Sequence, residues 1–432
     1  MRKIIIKKAC FSIVALFLFS TVAQLAYSAE LPAGTIISKD NVDKIMNDTF
    51  EGHTIKGLLT DVVLMQIRDW NLKIKLQKLT PQKKDSRYDA ATRKFKETVK
   101  YDPATNECSG FQAGKPFPDM TADDPNFAAK LVWRFYYGAR TGNTQHYPHS
   151  WLFVNSQTGL ERIQEWYWLR FYTKGILPNF AKGESPVVND EYTSKTLFFV
   201  TAPFDLKGVG LFTLRYDSPK VEDSWVYVKS VRRTRRLSGG AWIDPIGGTD
   251  MLNDDLFMFN ARPSWYKGFK MLGKKHVLVA ANTSMRYGET IDFNPAAKEP
   301  AKAYKMVDLE NAPYWNPSNE VGWEPVEVYI IECIPPDFHP YSKKVVYMDA
   351  RDPVMYMADC YDKAGSLWKF LAYTMTQRET IDGYIAFFPC QGFNFDLKQR
   401  HASIFYSRGV VLDDPKITEN NVTLGELRKA GG

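Results

Sequence analysis

From Ser150 onward the chain is a succession of aromatic and β-branched runs separated by short turn signals. "SWLFVN-SQTG-LERIQEWYWLRFYTKG" has the form of a hairpin whose turn ends at Gly159. "SKTLFFVTAPFDLKGVGLFTLRYDS" and "DSWVYVKSVRRTRRL" have the form of two more, and "KKHVLVAAN", "VEVYIIEC", "KKVVYMDARDPVMYMADCYDKAGSLWKF" and "TIDGYIAFFPC" continue the series. Strand, tight turn and strand, with few long helices between, predict a large antiparallel sheet within an α+β fold. Several runs, such as "EWYWLRFY", are apolar on both faces, so the sheet is expected to be covered on both sides. Helices would cover one face; more protein or a ligand would cover the other.

The part before Ser150 is mixed. "TIKGLLTDVVLMQIRDW" predicts a helix, and "NLKIKLQ" alternates like a strand with Leu72, Ile74 and Leu76 on one side. The clearest helix begins at "DDPNFAAKLVWRFYYGARTG", with Asp124 as N-cap and Pro125 in the first helical position. Ala128, Leu131, Val132, Phe135, Tyr136 and Ala139 make a stripe that Trp133 and Tyr137 widen, which most often means core. One large domain over 29–432 fits this pattern, with 294–325 as the place for a subdivision or a long insertion.

The first 28 residues have the form of a secretory signal peptide: basic Arg2, Lys3, Lys7 and Lys8, an apolar stretch, then Ala26 and Ser28 before a cut. That stretch is short of the roughly 18–20 residues a span needs. A soluble exported protein, in a bacterial periplasm, is expected. The full chain carries +7; without the leader 52 basic residues face 49 acidic ones. So small an excess gives no general pull toward nucleic acid. Four cysteines follow the leader and permit two disulfides in any of three connectivities; Cys333 with Cys360 is favoured, since each ends a strand-like run, and Cys108 with Cys390 would then be the remainder.

Catalytic signals are sparse. "GFKMLGKK" has the glycine spacing of a phosphate loop, but Lys275 stands where Ser or Thr would hold magnesium. His146 and His149 flank Pro148, cannot share a helical face as metal ligands, and are read as surface-loop residues. Asp123/Asp124 and Asp254/Asp255 are the carboxylate pairs on which a glycosidase would have to rest; caps and turns account for them better. No GxSxG elbow occurs, and nothing calls for a metal or cofactor.

Arg232, Arg233, Arg235 and Arg236 crowd one hairpin turning near Lys229 to Arg232. Period two places Arg233, Arg235 and Leu237 on one face, Thr234 and Arg236 on the other, so an arginine should point inward or onto a rim. Either the charges guard a solvated hairpin from edge pairing, or a guanidinium holds a polar group at an apolar mouth. The stretch "SWVYVKSVRRTRRLSGG…DPIGGTDMLNDDLFMFN" resembles the signature of the bacterial family known as domain of unknown function 1329. Phe111 to Pro118, Pro203 to Tyr216, Trp323 to Glu332 and Tyr341 to Lys369 match in the same order; Lys229 departs from the family's proline. The resemblance implies a LolA/LolB-like fold, an incomplete β-barrel wrapped around a hydrophobic cavity closed by helices. It also implies a companion role to resistance-nodulation-division-type exporters.

The combined expectation is a non-enzymatic periplasmic carrier for a hydrophobic, lipid-like ligand moved to or from the outer membrane, with peripheral membrane contact allowed. Trp133, Phe135 and Tyr137 would be lid contacts, Trp166, Trp168, Trp225 and Tyr227 sheet contacts, and Arg233 and Arg235 the holders of a polar head. The rivals are a carbohydrate-binding protein or glycosidase with aromatic platforms, and an interaction module without a cavity.

Overall fold

The computed structural model describes residues 28–139, 141–239, 241–282 and 303–431. The expected leader lies outside them save for Ser28, as does the 294–325 stretch up to residue 302. Among the described residues no helix is long and apolar enough to cross a membrane.

One sheet of 16 strands dominates. In chain order its strands are β1 (Ile36–Ile37), β2 (Ile74–Leu76), β3 (Thr144–Asn155), β4 (Gly159–Tyr172), β5 (Tyr192–Ala202), β6 (Gly210–Tyr216), β7 (Asp223–Val228) and β8 (Arg233–Arg236). They continue with β9 (Gly268–Val279), β10 (Gly322–Ile334), β11 (Lys343–Asp349), β12 (Met355–Tyr361), β13 (Leu367–Glu379), β14 (Ile385–Asp396), β15 (His401–Ser407) and β16 (Val411–Leu412). The spatial order is β1-β2-β10-β11-β12-β13-β14-β15-β3-β4-β5-β6-β7-β8, with β9 on β10 and β16 on β3. Every pairing is antiparallel except β2 on β10. β8 pairs only with β7, so the sheet stays open, as an incomplete barrel. The expected hairpin turn holds, with Asn155 opposite Gly159 and Gly159 at φ +88°, a conformation glycine adopts without strain.

Helices α1 (Ile55–Leu58), α2 (Asp61–Asp69), α3 (Ser86–Phe95), α4 (Phe127–Gly138), α5 (Leu177–Ala181) and α6 (Leu424–Gly431) cover the sheet. The helix expected over residues 54–70 is split because Thr60 turns extended and caps the second piece through the Val63 N–H, 3.1 Å away. The helix expected from Pro125 starts later, after Asn126; Asp124 accepts from the Asn126 N–H and pairs with Lys130 at 2.5 Å. Residues 303–325 add Tyr304, Met306 and Trp315 to the main core shared by α1, α2, α4 and β9–β14. α6 covers the opposite face of β4–β7, where Leu427 meets Leu169, Phe212 and Tyr227.

Two expectations are corrected. None of the four cysteines after the leader is in a disulfide, and all are buried. Cys333 on β10 and Cys360 on β12 both lie opposite Lys344 of the intervening β11. They are therefore two strand spacings apart, about 9–10 Å, beyond the roughly 7 Å a disulfide spans. Cys108 and Cys390 sit in separate clusters. His146 and His149 are strand residues, and His149 is buried, its pKa lowered to about 3 by burial and the Arg408 charge. Pro148 is tolerated because β3 changes partner there: β15 pairs up to His149 and β16 resumes at His146. The arginine hairpin has the solvated form, one of its two expected readings. Arg232, Arg233, Arg235 and Arg236 are all exposed, since β8 is the terminal strand and lacks the cover of interior strands. "GFKMLGKK" lies within β9, not in a strand-to-helix loop.

Candidate ligand cavity

The end of α4 faces the sheet across a partly open cavity of about 120 Å³. Phe135, Tyr136 and Tyr137 of α4 form one wall, and Tyr373, Met375 and Phe387 of β13 and β14 another. Arg170, Tyr172, Thr193, Ser194 and Arg215 of β4–β6 form the third, with Lys174 nearby. Strands far apart in the sheet order thus meet around one space, as a curved open sheet requires. The lining is mostly aromatic and aliphatic with a few polar groups, the usual make-up of a small-molecule site.

Phe257, Phe259 and Asn260 also line it. Phe257 and Met258 hold left-handed backbones, φ 55° and 74°, which costs on the order of 1–3 kcal/mol each for residues other than glycine. A buried charge cluster just before them fixes this turn. Lys344 Nζ lies 2.9 Å from Asp254 and 2.8 Å from Asp255. Tyr266 donates to Asp254 at 2.5 Å, Tyr341 to Asp255 at 2.7 Å, and His339 lies 3.3 Å from Asp254. Burial pushes the Asp254 carboxyl up, but the Lys344 charge and these hydrogen bonds outweigh it and hold the group well below the usual carboxylate range. The Asp254/Asp255 pair is therefore structural. Asp123 is exposed and Asp124 pairs with Lys130, so neither carboxylate pair lines the cavity.

The polar wall is organised around two arginines. Arg215 Nη2 meets Glu222 at 2.6 Å, and Lys174 meets Asp217 at 2.5 Å. Arg170, 7% exposed, donates from Nε to Thr196 Oγ1 at 2.9 Å and from Nη1 to the Tyr172 hydroxyl at 3.1 Å. Its guanidinium lies 4.7 Å from the Trp168 ring and 5.6 Å from that of Phe257. Burial raises the Tyr172 phenol, but Arg170 and the hydrogen bonds it accepts draw it below the ordinary tyrosine value.

A family model described as a protein of unknown function (DUF1329) matches residues 36–416. The chain belongs to the DUF1329 family. The uncharacterized protein PA3922 of Pseudomonas aeruginosa is 24% identical over 287 residues, 63% of this chain and 55% of that one. The chain thus spans about half the length of the curated relative it matches. Among solved structures, a domain from Vibrio parahaemolyticus described as an outer membrane lipoprotein-sorting protein domain is similar at 14% identity and a TM-score of 0.47. That match covers 70% of this chain and 98% of that one. A DUF1329 family protein from Desulfovibrio piger is similar at 14% identity and a TM-score of 0.43, covering 66% and 92%. A LolA superfamily protein from Nitrosomonas europaea is similar at 14% and 0.38, covering 67% and 93%.

In this DUF1329 chain, Phe135 and Tyr137 line the cavity, Tyr137 stacking on Phe111 with centroids 4.5 Å apart. Trp133 is fully buried beside Cys108, its indole N–H donating to the Asn106 carbonyl. Trp166 and Trp168 share the strand face of Arg170 and Tyr172 but sit deeper, packed on Phe198. Trp225 and Tyr227 lie in the cluster under α6. Arg233 and Arg235 are exposed on β8, outside the lining. Arg170 and Tyr172 were not singled out from sequence. The available signal was a lone arginine inside the aromatic run "EWYWLRFY".

Proposed function

We propose that this chain is a periplasmic carrier that sequesters a hydrophobic, lipid-like molecule, for transfer to or from the outer membrane with an exporter as partner. The observation that supports it is the cavity between α4 and the open sheet, walled by Phe135, Tyr137, Tyr373, Met375 and Phe387. Burying a few hundred Å² of acyl chain there, at about 25 cal/mol per Å², gives several kcal/mol of binding without a covalent step. The exporter and the direction of transfer belong to the proposal alone. The test is native mass spectrometry on protein purified from its own periplasm without detergent, followed by organic extraction. A discrete added mass that matches an extracted hydrophobe supports the carrier. Empty protein that also takes up no fluorescent fatty acid refutes it.

A further inference from the structure

Among the described residues, three cations line the cavity and no carboxylate does. Two of the three are neutralised from behind: Arg215 by Glu222, and Lys174 by Asp217. Arg170 is not. Its hydrogen bonds reach only hydroxyl groups, on Thr196 and Tyr172, and its nearest charge-stabilising neighbours are aromatic faces. The Tyr172 hydroxyl already accepts from Arg170 and from Thr141 Oγ1, 3.3 Å away, which leaves its own proton to donate. A guanidinium removed from water without a counter-charge is costly, and an anion arriving beside it recovers much of that cost. The opposite wall, with Met355, Tyr373, Met375 and Phe387, is largely apolar and carries no charged group among the described residues.

We propose that the cavity takes an anionic amphiphile, with the carboxylate or phosphate oxygens of its head on Arg170 and Tyr172 and its chain against Met375 and Phe387. This rests on the carrier reading and adds the chemistry of the cargo. Ser194, directly opposite Tyr172 in the ladder, lies on the same wall as a further hydroxyl for the head.

The test is displacement of the neutral probe N-phenylnaphthylamine by palmitate, hexadecyl phosphate, methyl palmitate and inorganic phosphate, on the wild-type chain, Arg170→Met and Arg170→Lys. Palmitate or hexadecyl phosphate should compete at least about tenfold better than the methyl ester, because only the anions gain the charge-assisted bonds. Whichever of the two is stronger identifies the head as carboxylate or phosphate. Arg170→Met should abolish the preference for the anions over the ester; Arg170→Lys should keep part of it. Inorganic phosphate binding as tightly as hexadecyl phosphate would overturn the amphiphile in favour of a free-anion site. Equal competition by acid and ester on the wild-type chain would overturn the head assignment while the carrier reading stands. This comparison needs no variant, so it decides even if Arg170→Met does not fold. Failure of the probe and of every lipid to bind would overturn the carrier reading itself.

Discussion

Lys344 and Arg170 are both buried cations on strands of one sheet, yet their surroundings are opposite. Lys344 meets two carboxylates that are themselves held by Tyr266, Tyr341 and His339. Arg170 meets hydroxyls and rings. The first site is closed: its charges face one another within the chain, and its effect is to fix the turn that carries Phe257. The second is open on the side of the cavity. A protein that only had to fold would gain little from such an arginine, which is why it reads as a group awaiting something from outside.

The contrast can be broken by substitution. Lys344→Met leaves Asp254 and Asp255 buried without a counter-charge and should destabilise the chain by about 3–5 kcal/mol, read by urea or guanidinium unfolding; a loss under about 1 kcal/mol would mean the cluster does not hold the loop. Asp359 is an intermediate case, a buried carboxylate with one hydrogen bond, from Tyr347 at 2.8 Å. Burial raises its pKa to about 7, and the nearby Asp61 adds to this. A raised carboxylate pKa contributes stability that is complete below about pH 4 and is lost as pH rises through 7. Asp359→Asn should thus stabilise by on the order of 1–2 kcal/mol at pH 8 and change little at pH 4. Thermal melts at the two pH values check this; an equal shift at both would remove the titration account.

Smaller effects sharpen the comparison. Arg170→Met should change unfolding free energy by less than about 1 kcal/mol, since it removes an uncompensated charge. Destabilisation on the scale of Lys344→Met would make Arg170 a structural residue after all. The double variant Arg233→Ala, Arg235→Ala should leave stability within about 0.5 kcal/mol of the parent, because both side chains are exposed on the terminal strand. A larger loss in the same unfolding experiment would show that the hairpin is anchored by them.

The strand series was readable because aromatic and β-branched runs bounded by turns have few alternatives. The hairpin ending at Gly159 and the turn over Lys229–Val231 fall where the pattern puts them. What could not be read was the order of strands in space. Cys333 and Cys360 end two similar runs, but β11 lies between them, and only the sheet order shows this. The same holds for the cavity. Phe135 and Tyr137 were accessible as part of a helical stripe, whereas Arg170 acquires meaning only when β4 curves round to face β13 and β14. The eye-catching arginines of β8 drew attention by number, while the two that line the cavity, Arg170 and Arg215, stand apart, one on β4 and one on β6. Local density of charge signals a surface more readily than a site.

The four thiols carry a practical consequence. Burial pushes Cys108, Cys333 and Cys360 well above the ordinary thiol range, so they are poor nucleophiles while the sheet is intact. No disulfide joins any of the described cysteines. Cys333 and Cys360 flank the ladder on either side of Lys344. Their modification by a thiol reagent therefore times the opening of the sheet at its charged centre, and cargo that braces the cavity should lengthen that clock.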